Sequence, residues 1–130
     1  MRAGDSWQCE CRVTEEVHEG FGRLFADGNP LHHDDDYARG KGFRERVVFG
    51  NVLNGFLSHF VGERLPIRNV AIYSQKIDYL QPVYVRDVLT LHVRVEDFFE
   101  SVNVAELKFF FENGAGKKVA RGALQVGVLA

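Results

Sequence analysis

The sequence predicts an α+β fold: one domain, residues 1–130, in which a curved antiparallel sheet wraps a buried helix. Three observations predict it. From Asn69 onward apolar residues recur with a period of two, the mark of half-buried strands. Ahead of them lies NVLNGFLSHFVGERL, residues 51–65, apolar on more than one stripe, as a helix enclosed by other structure is. Finally, 130 residues with 45% apolar and 26% charged composition suffice for one core, and no linker, repeat or low-complexity stretch marks a second domain.

The elements follow in chain order. Residues 7–13 partly alternate and read as a first strand. Thr14 reads as an N-cap, with Glu15 and Glu16 in a favourable first turn. Val17, Phe21, Leu24 and Phe25 then recur at helical spacing, which predicts a helix over 15–25. Gly28 and Pro30 break it. Asp34 to Arg39 reads as a short helix closed by Gly40. The enclosed helix begins after Gly50 and cannot simply continue past Pro66. Three strands are marked by Leu89, Leu91, Val93 and Val95, by Ala105, Leu107, Phe109 and Phe111, and by Ala120, Leu124, Val126 and Val128. Val119, Arg121 and Gln125 take the opposite parity in the last of these. Asn113-Gly114-Ala115-Gly116 has hairpin-turn chemistry between the last two.

Composition excludes several functions. A net charge of −2 does not steer the chain toward nucleic acid or an anionic membrane. No apolar run is long enough for a membrane span, and MRAGDSWQCECR has no apolar core of a signal peptide. Cys9 and Cys11 are too close in sequence for an easy disulfide and form no CxxC, so they read as free thiols of a cytoplasmic protein.

One stretch carries chemistry: FADGNPLHHDDDYARG, residues 25–40. It is either an ordinary polar turn or the working edge of an active site. The run His32-His33-Asp34-Asp35-Asp36 is not a metal motif, because consecutive residues diverge and no separated ligand spacing accompanies them. Asp34 to Asp36 fit the negative charge that a helix N-terminus favours.

Asp27-Gly28-Asn29-Pro30-Leu31-His32 resembles the D-x-N-P-[LIV]-H signature of MaoC-like dehydratases, the (R)-specific enoyl-CoA hydratases of the hotdog fold. Tyr37-Ala38 and Phe43 fit the segment that follows the signature. Val47-Val48-Phe49-Gly50-Asn51 takes the place of the family's I-V-H-G-M turn into the central helix. Leu80-Gln81-Pro82-Val83-Tyr84-Val85-Arg86-Asp87 is similar to its L-x-P-V-x-x-G-D. The resemblance implies a single hotdog domain that adds water to a trans-2-enoyl thioester, or removes it from a (3R)-3-hydroxyacyl thioester. It implies Asp27 and His32 as the acid–base pair and the Gly50 N–H as donor to the thioester oxygen. Asn29 and Pro30 would shape the turn, and Ser58, where the central helix carries a serine in some members, reads as a substrate contact or a small packing residue. Asn51, next to the Gly50 donor, is a substrate-binding candidate on its own position rather than through the resemblance. Elementary chemistry agrees: histidine is basic near neutral pH, a carboxylate orients water, and amides at a helix start are free and favour anions.

The expected substrate carrier is coenzyme A or an acyl carrier protein, and the cluster Arg39, Lys41, Arg44 and Arg46 suits a phosphorylated carrier or a solvated loop. No metal or cofactor is expected. A cytoplasmic homodimer is, because a small sheet leaves edge strands to be paired, with Phe98-Phe99 and Phe109 to Phe111 as apolar area for the contact or for the chain's own core. Asn51, Asn54 and Ser58 share one side of the enclosed helix and call for polar partners. The chain departs from the family pattern at four places: Ala26 and Arg86 stand where glycine is usual, Phe49 where histidine is, and Asn51 where an apolar residue is. Two other readings stay open. One is a hotdog thioesterase, opposed by the absence of Asp or Glu from Asn51 to Ser58; the other is a non-catalytic acyl-thioester binder.

Overall fold

The computed structural model describes residues Met1–Ala130. Five strands form one antiparallel sheet: β1 (Ser6–Arg12), β2 (Val70–Tyr79), β3 (Val88–Phe99), β4 (Val104–Glu112) and β5 (Lys118–Val128), in the order β1-β3-β4-β5-β2. Between β1 and β2 come helix α1 (Glu15–Leu24), a 3-10 turn (Pro30–His32), α2 (Asp35–Gly40) and α3 (Gly50–His59). A wider π turn, Phe60–Arg64, carries α3 to its end.

The sheet faces α3 with alternate side chains. Leu89, Leu91, Val93 and Val95 of β3 meet Leu107, Phe109 and Phe111 of β4 on the inner face, and Val52, Leu53, Leu57, Phe60 and Val61 of the helical segment complete the core. Leu57 is fully enclosed, so truncating it to alanine would cost about 2–5 kcal/mol. Phe109 and Phe111 therefore fill the chain's own core, and only Phe99 of the phenylalanine-rich segments is exposed. The enclosure of α3 is incomplete: Asn51, Gly55 and Ser58 form an open side within the single chain.

Helix α1 forms where the spacing predicts it, but its apolar residues divide: Phe21 packs against the core, Val17, Leu24 and Phe25 are exposed, Leu24 at 75% and Phe25 at 70%, and the helix buries His18 and Gly22. Small and polar residues are on the inward side because α1 approaches closely: a Cβ on Gly22 would fall 2.9 Å from Cε1 of His33 and 3.1 Å from the ring of Phe49. Val119 is also buried, although its parity in β5 assigned it to the polar face. The register shifts between Phe111 and Glu112, which pair with Ala120 and Lys118, so Val119 is an unopposed bulge residue. Its carbonyl accepts from the amides of Leu80 and Gln81, tying the end of β2 to β5.

The caps behave as local chemistry dictates. Thr14 Oγ1 accepts from the Val17 amide and Asp34 Oδ1 from that of Tyr37. Asn113 Oδ1 accepts from the amides of Ala115 and Lys117 in the β4–β5 hairpin.

Candidate active site

The turn between α1 and α2 is built by its own side chains. Asp27 Oδ1 accepts from the Asn29 amide at 3.1 Å, and Asn29 Oδ1 accepts from the Leu31 amide at 3.1 Å. These two Asx turns, with Pro30 opening the 3-10 turn, carry the chain from Asp27 to His32. The His33 ring closes the loop by donating from Nε2 to the Asp27 carbonyl. Ala26, just before Asp27, sits at φ 52°, in the left-handed region where glycine is at ease.

His32 is fixed at three points. Its amide donates to the Asn29 carbonyl at 3.0 Å, its own carbonyl accepts from Nε2 of His18 at 2.7 Å, and its Nδ1 stands 2.7 Å from the Val47 carbonyl. A carbonyl oxygen only accepts, so Nδ1 carries the proton and Nε2 is left as a lone-pair base. The Val47 amide in turn donates to the Leu31 carbonyl at 3.0 Å, which ties the His32 segment to the turn that starts α3.

That turn presents free donors. Phe49 caps α3 with no side-chain hydrogen bond, and the first helical amide to find a partner is that of Val52, on the Phe49 carbonyl. The amides of Gly50 and Asn51 thus remain available at the positive end of the helix. The Tyr79 ring lies against Gly50, where an added Cβ would fall 2.8 Å from its Cζ, so a larger residue would displace that ring. Burial pushes the Tyr79 hydroxyl up from its ordinary value, against the opposing effect of the nearby Asn54 side chain.

Two cavities meet at His32, Phe49 and Gly50. One, about 440 Å³, is largely apolar and runs past Phe43, Val48, Leu53, Tyr79, Leu80 and Val83. The other, about 800 Å³, is lined by Phe21, Phe25, Ala26, Asp27 and Asn51. Asp27, His32, Gly50 and Asn51 therefore face common space. Asn29 shapes the turn without lining either cavity, and Ser58 lies farther along the open side of α3, also outside them. Asn51 and Asn54 are hydrogen bonded at 2.6 Å, and Gln75 of β2 donates to Asn54. A larger groove of about 850 Å³ on the outer face of the sheet, rimmed by Lys76, Lys108 and Arg121, contains none of these residues.

The remaining polar residues are locally employed. Arg46 pairs with Glu15 at 2.8 Å, Arg39 with Asp36 at 3.2 Å, and the Arg44 guanidinium lies 4.2 Å from the centre of the Tyr84 ring. No three His, Cys, Asp or Glu side chains gather as metal ligands. Cys9 and Cys11 are free, and burial, then the neighbouring Cys9, pushes the Cys11 thiol up to about 12.

Sequence reasoning missed His18, and gave His33 no structural part. His18 is wholly buried and its ring lies 5.0 Å from that of Phe49, which is itself 4.2 Å from the ring of His32. The one signal available was its position four residues before the small Gly22, on the narrow side of α1.

Comparison with known proteins identifies the family and the fold. Residues 6–109 match the family model described as a MaoC like domain. The chain is 34% identical to an (R)-specific enoyl-CoA hydratase of Rhodospirillum rubrum, over 100% of this chain and 90% of the relative. It is 30% identical to a mitochondrial 3-hydroxyacyl-[acyl-carrier-protein] dehydratase of Arabidopsis thaliana, over 84% of this chain and 64% of that one. Its fold superposes on the (R)-hydratase of A. caviae involved in PHA biosynthesis with a TM-score of 0.91 at 26% identity, covering 99% and 98% of the two chains.

Proposed function

The chain belongs to the MaoC-like domain family, and from that premise we propose that it is a hydratase/dehydratase interconverting a trans-2-enoyl thioester and a (3R)-3-hydroxyacyl thioester. One observation supports the reading: Asp27, His32 and Gly50 line one cavity, and the Nε2 of His32 and the amide of Gly50 have no protein partner. Water held between Asp27 and Nε2 of His32 loses a proton to that pair as its oxygen bonds to C3 of the enoyl group. Negative charge moves to the thioester oxygen, where the Gly50 amide and the α3 dipole favour it. The proton then passes to C2, so that hydroxide has been added to one carbon and a proton to the next. Dehydration runs the same steps backward.

The apolar cavity along Leu53, Leu80 and Val83 suits the acyl part. The names of the two relatives support coenzyme A or an acyl carrier protein as carrier. A homodimer fits the exposed edge of β2, a ten-residue strand at one end of the sheet order, and the open side of α3 beside it. No helix is long and apolar enough to cross a membrane; a cytoplasmic site of action is the reading that the free thiols favour. The test is loss of enoyl-thioester absorbance with crotonyl and longer substrates on both carriers. Activity confined to one carrier assigns it, and inertness toward all of them overturns the proposal.

A further inference from the structure

His18 is the buried titratable group that the proposed chemistry leaves unused, and the structure ties it directly to His32. Its side chain is 0% exposed. Its Nε2 lies 2.7 Å from the His32 carbonyl oxygen, which can only accept, so Nε2 carries the proton. Its Nδ1 is buried without a partner. An apolar side chain of similar size would remove the unpartnered Nδ1 but leave the His32 carbonyl without its donor, so packing alone does not account for a histidine here. Phe49, which lies between the His18 and His32 rings, occupies the place where the family pattern has histidine. The imidazole absent from the turn before α3 is thus matched by one on α1.

The His32 side chain starts from the backbone whose carbonyl His18 holds. The ring is held at Nδ1 by Val47, but this bond orients Nε2 correctly only if the main chain presents the ring at the right height and angle. We propose that His18 is a positioning residue: its Nε2–H holds the His32 carbonyl and so sets the direction in which the His32 imidazole projects into the cavity. This rests on the reading of His32 as an acid–base group. The role requires a donor and no charge, and burial lowers the His18 pKa below its ordinary value. Of the charged and titratable groups that face it, Glu19 on α1 favours the protonated ring, while Arg46 and His32 oppose it. The His33 ring stands 6.4 Å away.

Substitution separates a donor from a space-filler. His18→Leu keeps apolar volume and removes the N–H; His18→Gln keeps a side-chain N–H of similar reach. Turnover of crotonyl-CoA is measured for both, together with the ¹⁵N shifts of the His32 ring without substrate. The leucine variant is expected to lose roughly tenfold or more in kcat, the consequence of one part-buried carbonyl left unpaired, with KM little changed. The glutamine variant is expected to retain most of the activity. His32 should show the Nδ1–H tautomer in the wild type and the glutamine variant and a mixture in the leucine variant. If His18→Leu fails to fold, His18→Met replaces it. An apolar variant as active as wild type with an unchanged His32 tautomer, or one more active than the glutamine variant, makes His18 a packing residue and overturns the proposal. A wild type that hydrates nothing, with the tautomer still responding to His18, would remove the functional reading and leave the positioning role in place.

Discussion

Nδ1 of His32 lies 2.7 Å from the carbonyl oxygen of Val47, three residues before the glycine that opens α3. This single bond sets the tautomer of the proposed base and joins the two halves of the site, the turn after α1 and the start of α3. Asp27 reaches the same cavity from the turn. Asp27→Asn and His32→Ala should each reduce hydration by about 10²–10⁴-fold, the usual contribution of a general acid or base. Asp27 is exposed and His32 half-buried, so thermal unfolding should still be cooperative in both variants. Near-wild-type turnover in either one removes that residue from the mechanism.

Ala26 at φ 52° and Arg86 at φ 77° occupy left-handed conformations, and both stand where the family pattern has glycine. A side chain there costs about 1 kcal/mol or more, part of which glycine returns as unfolded-state entropy. Ala26→Gly should therefore raise the urea midpoint, by about 0.5–1 kcal/mol of stability. Arg86→Gly should gain less, because it also loses the exposed contact with Glu15 at 3.2 Å. A lower midpoint for Ala26→Gly would show that the alanine methyl makes a favourable contact in the turn.

The burial of His18 predicts a pH dependence of stability with a definite sign. Burial lowers its pKa in the folded state from the ordinary 6.5, so below that pH the unfolded chain takes up a proton that the folded chain resists. Its contribution is complete above about 6.5 and declines as pH falls from there toward the lowered value. Thermal midpoints measured across this window should fall on the acid side, and His18→Gln should flatten that part of the curve. An identical curve in the variant assigns the acid limb to other groups.

No Asp or Glu lies in α3, and Glu63 in the π turn beyond it is exposed and paired with Arg68 at 2.9 Å. A thioesterase of this architecture usually carries a carboxylate along the central helix to direct water at the thioester carbonyl. Free-thiol release from a saturated acyl-CoA should accordingly be negligible beside hydration of the matching enoyl-CoA. Rapid release would shift the assignment to hydrolysis.

Light scattering coupled to size exclusion should report twice the 14.8 kDa of one chain. The β2 edge and the open side of α3 are where a second copy would join. A fully active species of monomer mass at assay concentration would contradict the dimer.

The parts of the fold legible in the sequence are those set by neighbours along the chain. The strand alternation of β3 and β4, the caps Thr14 and Asp34, and the Asp27-Gly28-Asn29-Pro30 turn all depend on local hydrogen bonding or a clear period. What was not legible depends on the approach of distant segments. The period of α1 predicted the helix but not that Gly22 turns inward, where Phe49 and His33 come close enough to require a small residue. Val119 broke the alternation of β5 because of a bulge set by its partner strand. Of the site, Asp27, His32, Gly50 and Asn51 were visible as a motif and a helix start, whereas His18 was hidden. Nothing in its sequence surroundings signals that its partner is a carbonyl fourteen residues later.

The central claim is tested most directly by following crotonyl-CoA hydration and resolving the product on a chiral column. The account predicts loss of the enoyl band, formation of (3R)-3-hydroxybutyryl-CoA, and near-abolition of both in His32→Ala. A (3S) product, or full turnover in the absence of the His32 imidazole, would contradict it.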